Sequence, residues 1–183
     1  GETLTSSFQL NKSKALKKKL DAANRSTHLK IRKTGGGLII DFTAAMFEVY
    51  RQALLNLHKV TPRQDVDCTR SAKHREVASI TTQDNHKYTV QMFLTSSKWQ
   101  VQGDESHFLD YELLRLQSTA DDLLKNNNCT VDQLNQAMKH VLSDAAQSDR
   151  AHTSNNSSQS GPPVHDSAVQ PKTIEKLSTV KAT

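Results

Sequence analysis

Cysteine, tryptophan and long apolar runs are scarce in this chain, whose 183 residues include two cysteines, one tryptophan and 5% aromatics. Two cysteines cannot build the disulfide framework of a small secreted domain, and Cys68 and Cys129 lack the close spacing of a zinc knuckle. A reducing compartment, nuclear or cytoplasmic, is the expectation. No stretch approaches the roughly 18 apolar residues of a membrane span, and the opening GETLTSSFQL has no signal-peptide core, so no membrane partner is expected. The chain does not begin with methionine and is expected to be a piece of something longer.

Catalytic and ligand-bearing constellations are equally thin. Cys68 and His74 can be written as nucleophile and base, but they fall in a polar stretch without an oxyanion-hole signal. His28, His74, His86 and His107 follow no metal-ligand spacing. TGGG, at 34–37, lacks the Lys-Ser/Thr ending of a phosphate-binding loop and reads as a hairpin turn. The expectation is a protein that is not an enzyme and has neither metal nor cofactor.

What the chain does have is lopsided charge. Between residues 11 and 33 nine lysines and arginines face one aspartate, a local net of +8 in a chain whose total is +5. Such a basic stretch is an electrostatic footprint for a polyanion, although a solvated charge run has the same appearance. Within it, NKSKALKKKLDAA sets Leu16, Leu20 and Ala23 on one face of a short helix. Without burial a helix of that length is marginal in water, so residues 1–25 are expected to form a basic arm that orders on a partner. From 146 to 183 the composition is rich in Ser, Asn, Pro and Thr without apolar periodicity, which reads as a disordered tail or linker.

Residues 26–145 carry the periodic patterns of a core. THLKIRKTGGGLIIDF alternates, breaks at three glycines and alternates again, a hairpin signature. A helix over 44–58 follows, with Thr43 as its cap and Phe42 placed to staple onto Phe47. VTPRQDVDCTRSAKHR reads as a loop, EVASITTQ as a short strand, and KYTVQMFLTSSKWQVQG as two more strands. Asp104 is placed to cap a helix carrying Leu109, Leu113, Leu116, Ala120 and Leu123 on one stripe, and TVDQ is a capping box opening a last helix that buries Leu134, Met138 and Val141.

An offset of 61 residues superimposes the two strand–strand–helix units without a gap: Ile31 meets Met92, Leu38 meets Trp99, Phe47 meets Phe108 and Tyr50 meets Tyr111. Any two such units match at apolar positions, and the paired Phe and Tyr are what favour a duplication. Two units side by side give an α+β fold, an antiparallel sheet with helices packed on one face. Alternation then sends Leu29, Ile31, Tyr88, Val90, Met92, Trp99 and Val101 toward the helices, and His28, Lys30, Arg32, Gln91, Phe93, Gln100 and Gln102 away from them.

FLTSSKWQVQGDESHF resembles the repeating unit of the TATA-box-binding-protein fold: a strand ending in Thr-Ser, a turn, a strand closing on Val-Gln-Gly, then a helix. It is also similar to the N-terminal substrate-binding domain of type 3 bacterial ribonuclease H. The longer run YTVQMFLTSSKWQVQGDESHFLDYEL looks like a segment of invertebrate mobile-element proteins, upstream of a PHD-type finger or a reverse transcriptase. The resemblance implies a curved sheet that binds nucleic acid on its open face. TGGGLIIDF departs from it, with Phe42 where the second unit has Gly103, and the four-phenylalanine wedge needed to kink a duplex is missing, so DNA bending is not implied.

The leading expectation is a non-enzymatic nucleic-acid-binding module that engages RNA or DNA mainly through phosphates. Lys17, Lys18, Lys19, Arg25, Lys30, Arg32 and Lys33 are expected to supply affinity, while Gln91, Phe93, Gln100 and Gln102 line the sheet surface. The alternative is a protein-interaction or self-assembly domain with a basic solubilising arm, forming homo-oligomers. In that case the acidic 104–122 helix is a candidate surface for the basic arm of another copy.

Overall fold

Two-residue and four-residue turns build the centre of the molecule. The computed structural model describes residues 13–66 and 74–154. In it Gly35 and Gly36 join β1 (Leu29–Thr34) to β2 (Gly37–Phe42), with Leu29 opposite Phe42 and Thr34 opposite Gly37. Gly37 takes φ +125°, and a side chain there would run into the Val101 carbonyl. Residues 94–97 join β5 (Lys87–Phe93) to β6 (Lys98–Gly103). The sheet is completed by β3 (Arg63–Val66) and β4 (His74–Thr81), giving the order β1-β2-β6-β5-β4-β3 with every pairing antiparallel.

The helices are α1 (Ser13–Ala23), α2 (Ala44–His58), the short α3 (Glu105–His107), α4 (Leu113–Asn126) and α5 (Val131–Ser154), with a π-helical turn, Phe108–Glu112, joining α3 to α4. The fold class is therefore α+β, an antiparallel sheet with helices on one face. Leu38, Ile40 and Phe42 of β2, Val90 and Met92 of β5, and Trp99 and Val101 of β6 pack against Phe47, Tyr50, Ala53 and Leu54 of α2 and Leu116, Ala120 and Leu123 of α4. Phe42 is the hub: its ring lies 5.1 Å from Trp99, 5.2 Å from Tyr50 and 6.2 Å from Phe47, the last contact being the expected staple. The polar Glu76 on the inner side of β4 is held by a bidentate pair with Arg51 of α2, at 2.6 and 2.8 Å.

Helix ends show where local signals suffice. α2 runs over the residues the pattern marked, and Thr130 and Gln133 exchange the two bonds of a capping box at 3.0 and 3.1 Å. Thr43 stands at the N-cap of α2 but its hydroxyl pairs with His28 instead. The Ala45 N–H donates to Asn135 of α5, whose amide also donates to the Ala23 carbonyl at the end of α1. One buried asparagine thus ties three helices together.

Four expectations change. The segment at 60–75 is not all loop, because β4 begins at His74 and Arg63–Val66 pairs with it as an edge strand, whose charged, Pro-preceded sequence carries no alternation to announce it. α5 continues to Ser154, past the expected start of the tail, since Gly and Pro are absent from that stretch until Gly161 and alanines sustain the helix. α1 docks through Leu16 and Ala23 onto Ala44 of α2 and Leu142 of α5, so its ordering needs no outside partner. Leu109 is 38% exposed because the π-helical turn shifts the phase of the stripe, bringing Phe108 and Glu112 inside in its place.

The ungapped superposition also breaks. At offset 61 Val90 should face Gly103, but it faces Val101, a slip of two residues that matches the longer second turn. The seam between hairpins keeps the offset, with Leu38 opposite Val101 and Ile40 opposite Trp99.

Candidate nucleic-acid interface

Directly opposed residues of an antiparallel pair share a face, so the register assigns the open side of the sheet. Lys30 faces Asp41 and Arg32 faces Ile39; Asp41 and Ile39 in turn face Lys98 and Gln100. Gln100 faces Gln91, Gln102 faces Thr89 and Lys98 faces Phe93, and Phe93 and Gln91 face Arg75 and Val77. Arg63 continues the row on β3, and Lys87 with Thr81 lies on the same side near the end of β5. Lys30, Arg32, Gln91, Phe93, Gln100 and Gln102 are thereby brought together on the side without helices.

Six cations (Lys30, Arg32, Arg63, Arg75, Lys87 and Lys98) occupy this face, with Asp41 opposite Lys30 and Asp65 opposite Arg75 as acidic positions among them. Arg32 donates to Asp41 at 2.8 Å, and the Lys98 ammonium stands 3.5 Å from the same carboxylate. Partial burial works against the Asp41 charge, but the Arg32 hydrogen bond and the neighbouring Lys98 and Arg25 outweigh it and hold the carboxyl below its ordinary range. The amides form a chain: Arg75 donates to Gln91 at 2.8 Å, Gln91 to Gln102 at 3.3 Å, and both Gln102 and Gln100 to the Gly36 carbonyl at 2.8 and 2.9 Å. The half-buried Phe93 ring sits between Arg75 on one neighbouring strand and Lys98 on the other.

Other expected contacts lie elsewhere. Lys19 is fully buried: its ammonium donates to the Leu94 carbonyl at 3.0 Å, stands 3.6 Å from Glu48 and lies over the Phe47 ring, so it cannot touch an outside ligand. Arg25 turns its guanidinium onto the Phe42 and Ser97 carbonyls, closing the second hairpin's turn. Lys17 and Lys18 are exposed, but on α1 rather than on the sheet. Lys33 is exposed at the edge, opposite Leu38, on the helix side of its strand. His28, expected to point away from the helices, bonds Thr43 at 2.7 Å and Asp132 of α5 at 2.6 Å. Cys68 lies outside the described residues.

Lys98 was legible in principle, since it falls on the period-2 frame already set by Gln100; Arg75 was not, since only its register opposite Phe93 on the neighbouring strand places it there. Convergence of Asp84, His86 and His107 had no such signal, because the three are joined only by the fold. A second polar cluster is internal: His58 pairs with Glu112 at 2.9 Å and Tyr88 stands 3.3 Å from His58, with burial and the Glu112 carboxylate raising the Tyr88 phenol well above its usual range. No described helix is long and apolar enough to cross a membrane. Comparisons with protein-family models, curated proteins and solved structures found no match, which leaves the geometry and chemistry of this face to carry the functional reading.

Proposed function

We propose that this chain is a non-enzymatic module that binds RNA or DNA across the open face of its sheet, chiefly through phosphates. The observation that supports this is the gathering of six cations, with two acidic positions among them, around an amide chain and a half-buried phenylalanine. Cations spaced across adjacent strands neutralise successive phosphates, and Phe93 between two of them offers a stacking surface. The Gln102 and Gln100 amide groups already donate to Gly36, which favours weak sequence preference over base readout. Single strands suit this arrangement, because splayed bases reach an open sheet face.

Titration of single-stranded and duplex oligonucleotides across a salt series is the test. A steep fall of log K with log salt, larger affinity for single strands, and loss of both on replacing Arg32 and Lys98 by glutamate are expected; a flat dependence would remove the proposal. One observation favours self-assembly as a second reading: Tyr111 and Leu114 are each 62% exposed on the turn and helix that cover the core. Sedimentation at low and high salt separates the two, since apolar association survives salt and phosphate binding does not.

A further inference from the structure

The tight turn between β4 and β5 and the start of the segment after β6 carry a second cluster, away from the amide chain. The turn is braced by Thr82, whose N–H donates to the His86 carbonyl at 2.8 Å and whose hydroxyl accepts the His86 N–H at 2.9 Å. Lys87 and Asp104 lock the two segments together: the Lys87 N–H donates to the Asp104 carboxylate and the Asp104 N–H to the Lys87 carbonyl, both at 3.0 Å. On this frame the rings of His86 and His107 stack at 3.7 Å with 10° between planes. Tyr111 lies 5.1 Å from the His107 ring.

Three details of the side chains around this stack resemble a ligand sphere. His86 places Nδ1 3.2 Å from the Asp104 carboxylate, the outer-sphere arrangement that fixes a ligating imidazole and raises its basicity. Its Nε2 is then the free nitrogen, and it stands 3.9 Å from Asp84, too far for a hydrogen bond but close to the separation of two ligands sharing one ion. The donor atoms of Asp84, His86 and His107 all lie within 4.8 Å of one another. Zinc bonds of about 2.0–2.1 Å hold tetrahedral ligand atoms roughly 3.3 Å apart; because an imidazole binds an ion in its own ring plane, the two rings, parallel in the stack, must unstack and the exposed Asp84 must swing inward to close the set.

We propose that Asp84, His86 and His107 form a binding site for a divalent transition-metal ion of the zinc class, with Asp104 orienting His86 from the outer sphere. Two imidazoles and one carboxylate leave a fourth position for water. Bound there, the ion clamps the β4–β5 turn to the start of the helical segment that carries the π-helical turn, so it stabilises the fold rather than serving the nucleic-acid face. The inference stands independently of the nucleic-acid reading.

The test is titration of the metal-stripped chain with Co²⁺, followed by its visible d–d absorption, and with Zn²⁺ by calorimetry. One saturable site, without the thiolate charge-transfer band that a cysteine ligand produces, is expected. Asp84→Asn and His107→Ala should each weaken Co²⁺ binding at least tenfold. Asp104→Asn should weaken it by about tenfold, as outer-sphere changes do, and His140→Ala, on α5, should leave it unchanged. Asp84 is exposed, so its variant carries the test even if loss of the stacked His107 disturbs folding. Absence of saturable binding at millimolar ion, or Asp84→Asn binding as the parent does, overturns the assignment.

Discussion

Lys19 and Lys30 come from one basic run, yet they live in opposite parts of the molecule. Lys19 has its ammonium inside, against the Leu94 carbonyl, Glu48 and the Phe47 ring, while Lys30 stands exposed on the open face. Arg25 and Arg32 repeat the division: one satisfies two backbone carbonyls, the other pairs with a carboxylate on the sheet surface. A cluster of cations in sequence is thus two populations in space. One anchors α1 and the second hairpin; the other is available to a polyanion. Only the second should respond to salt in a binding assay.

The widest separation of the two populations is in stability. Lys19→Ala removes the cation beside a buried carboxylate and should cost about 3–5 kcal/mol in urea unfolding, while Lys30→Ala should stay within about 0.5 kcal/mol. Equal, small effects would mean that the buried pair does not hold α1 in place.

Proton titration sharpens the contrast further. Burial lowers the Lys19 pKa from 10.5 to about 8 despite the attraction of Glu48. Between those values the unfolded chain holds a proton that the folded chain has released, so stability should rise with pH above about 8 and be flat just below it. Tyr50 opposes this at higher pH: burial raises its phenol from 10.0 to about 12, so its stabilising contribution falls away as pH climbs through that range. The clean window is therefore between about 8 and 10. Urea midpoints measured across it should climb in the parent and stay level in Lys19→Met.

Why one half of this contrast was readable from sequence and the other was not is a matter of range. Alternation along β5 and β6 is a local property, so Gln91, Phe93, Gln100 and Gln102 could be assigned to one face from their spacing. α2 and the Thr130–Gln133 box are equally local, being set by caps and period. Burial of Lys19 depends on Glu48, Leu94 and Phe47, which share no periodic relation with it. β3 exists because β4 offers it a partner, and the phase of the Leu109 stripe changes because five residues adopt π-helical spacing. The meeting of His86 with His107 likewise needs the Lys87–Asp104 lock, which no spacing rule encodes.

Aromatic side chains offer a parallel comparison. Phe47 belongs to the core and Phe93 to the open face. Phe47→Ala should cost about 3–5 kcal/mol of stability. Phe93→Ala should leave folding nearly intact and instead weaken oligonucleotide binding by about 1–3 kcal/mol per stacked base. The salt slope should not change in the second variant, because no phosphate contact is removed. A Phe93→Ala protein that binds as tightly as the parent would leave phosphate contacts without stacking.

The smallest expected effect is also the most discriminating, because it compares neighbours on one strand. Lys30 and Lys33 have the same charge and both are exposed, but their partners differ: Lys30 faces Asp41 on the open side, Lys33 faces Leu38 on the helix side. If a single strand lies across the open face, removing one phosphate contact should lower the log–log salt slope by about 0.7, and only Lys30→Ala should do so. Identical reductions from Lys30→Ala and Lys33→Ala would mean that the polyanion follows the strand edge. A reduction from Lys33→Ala alone would place it on the opposite side of β1. Each variant removes one exposed positive charge, so the net charge of the chain changes equally in both. Any difference between them must come from where the side chain points.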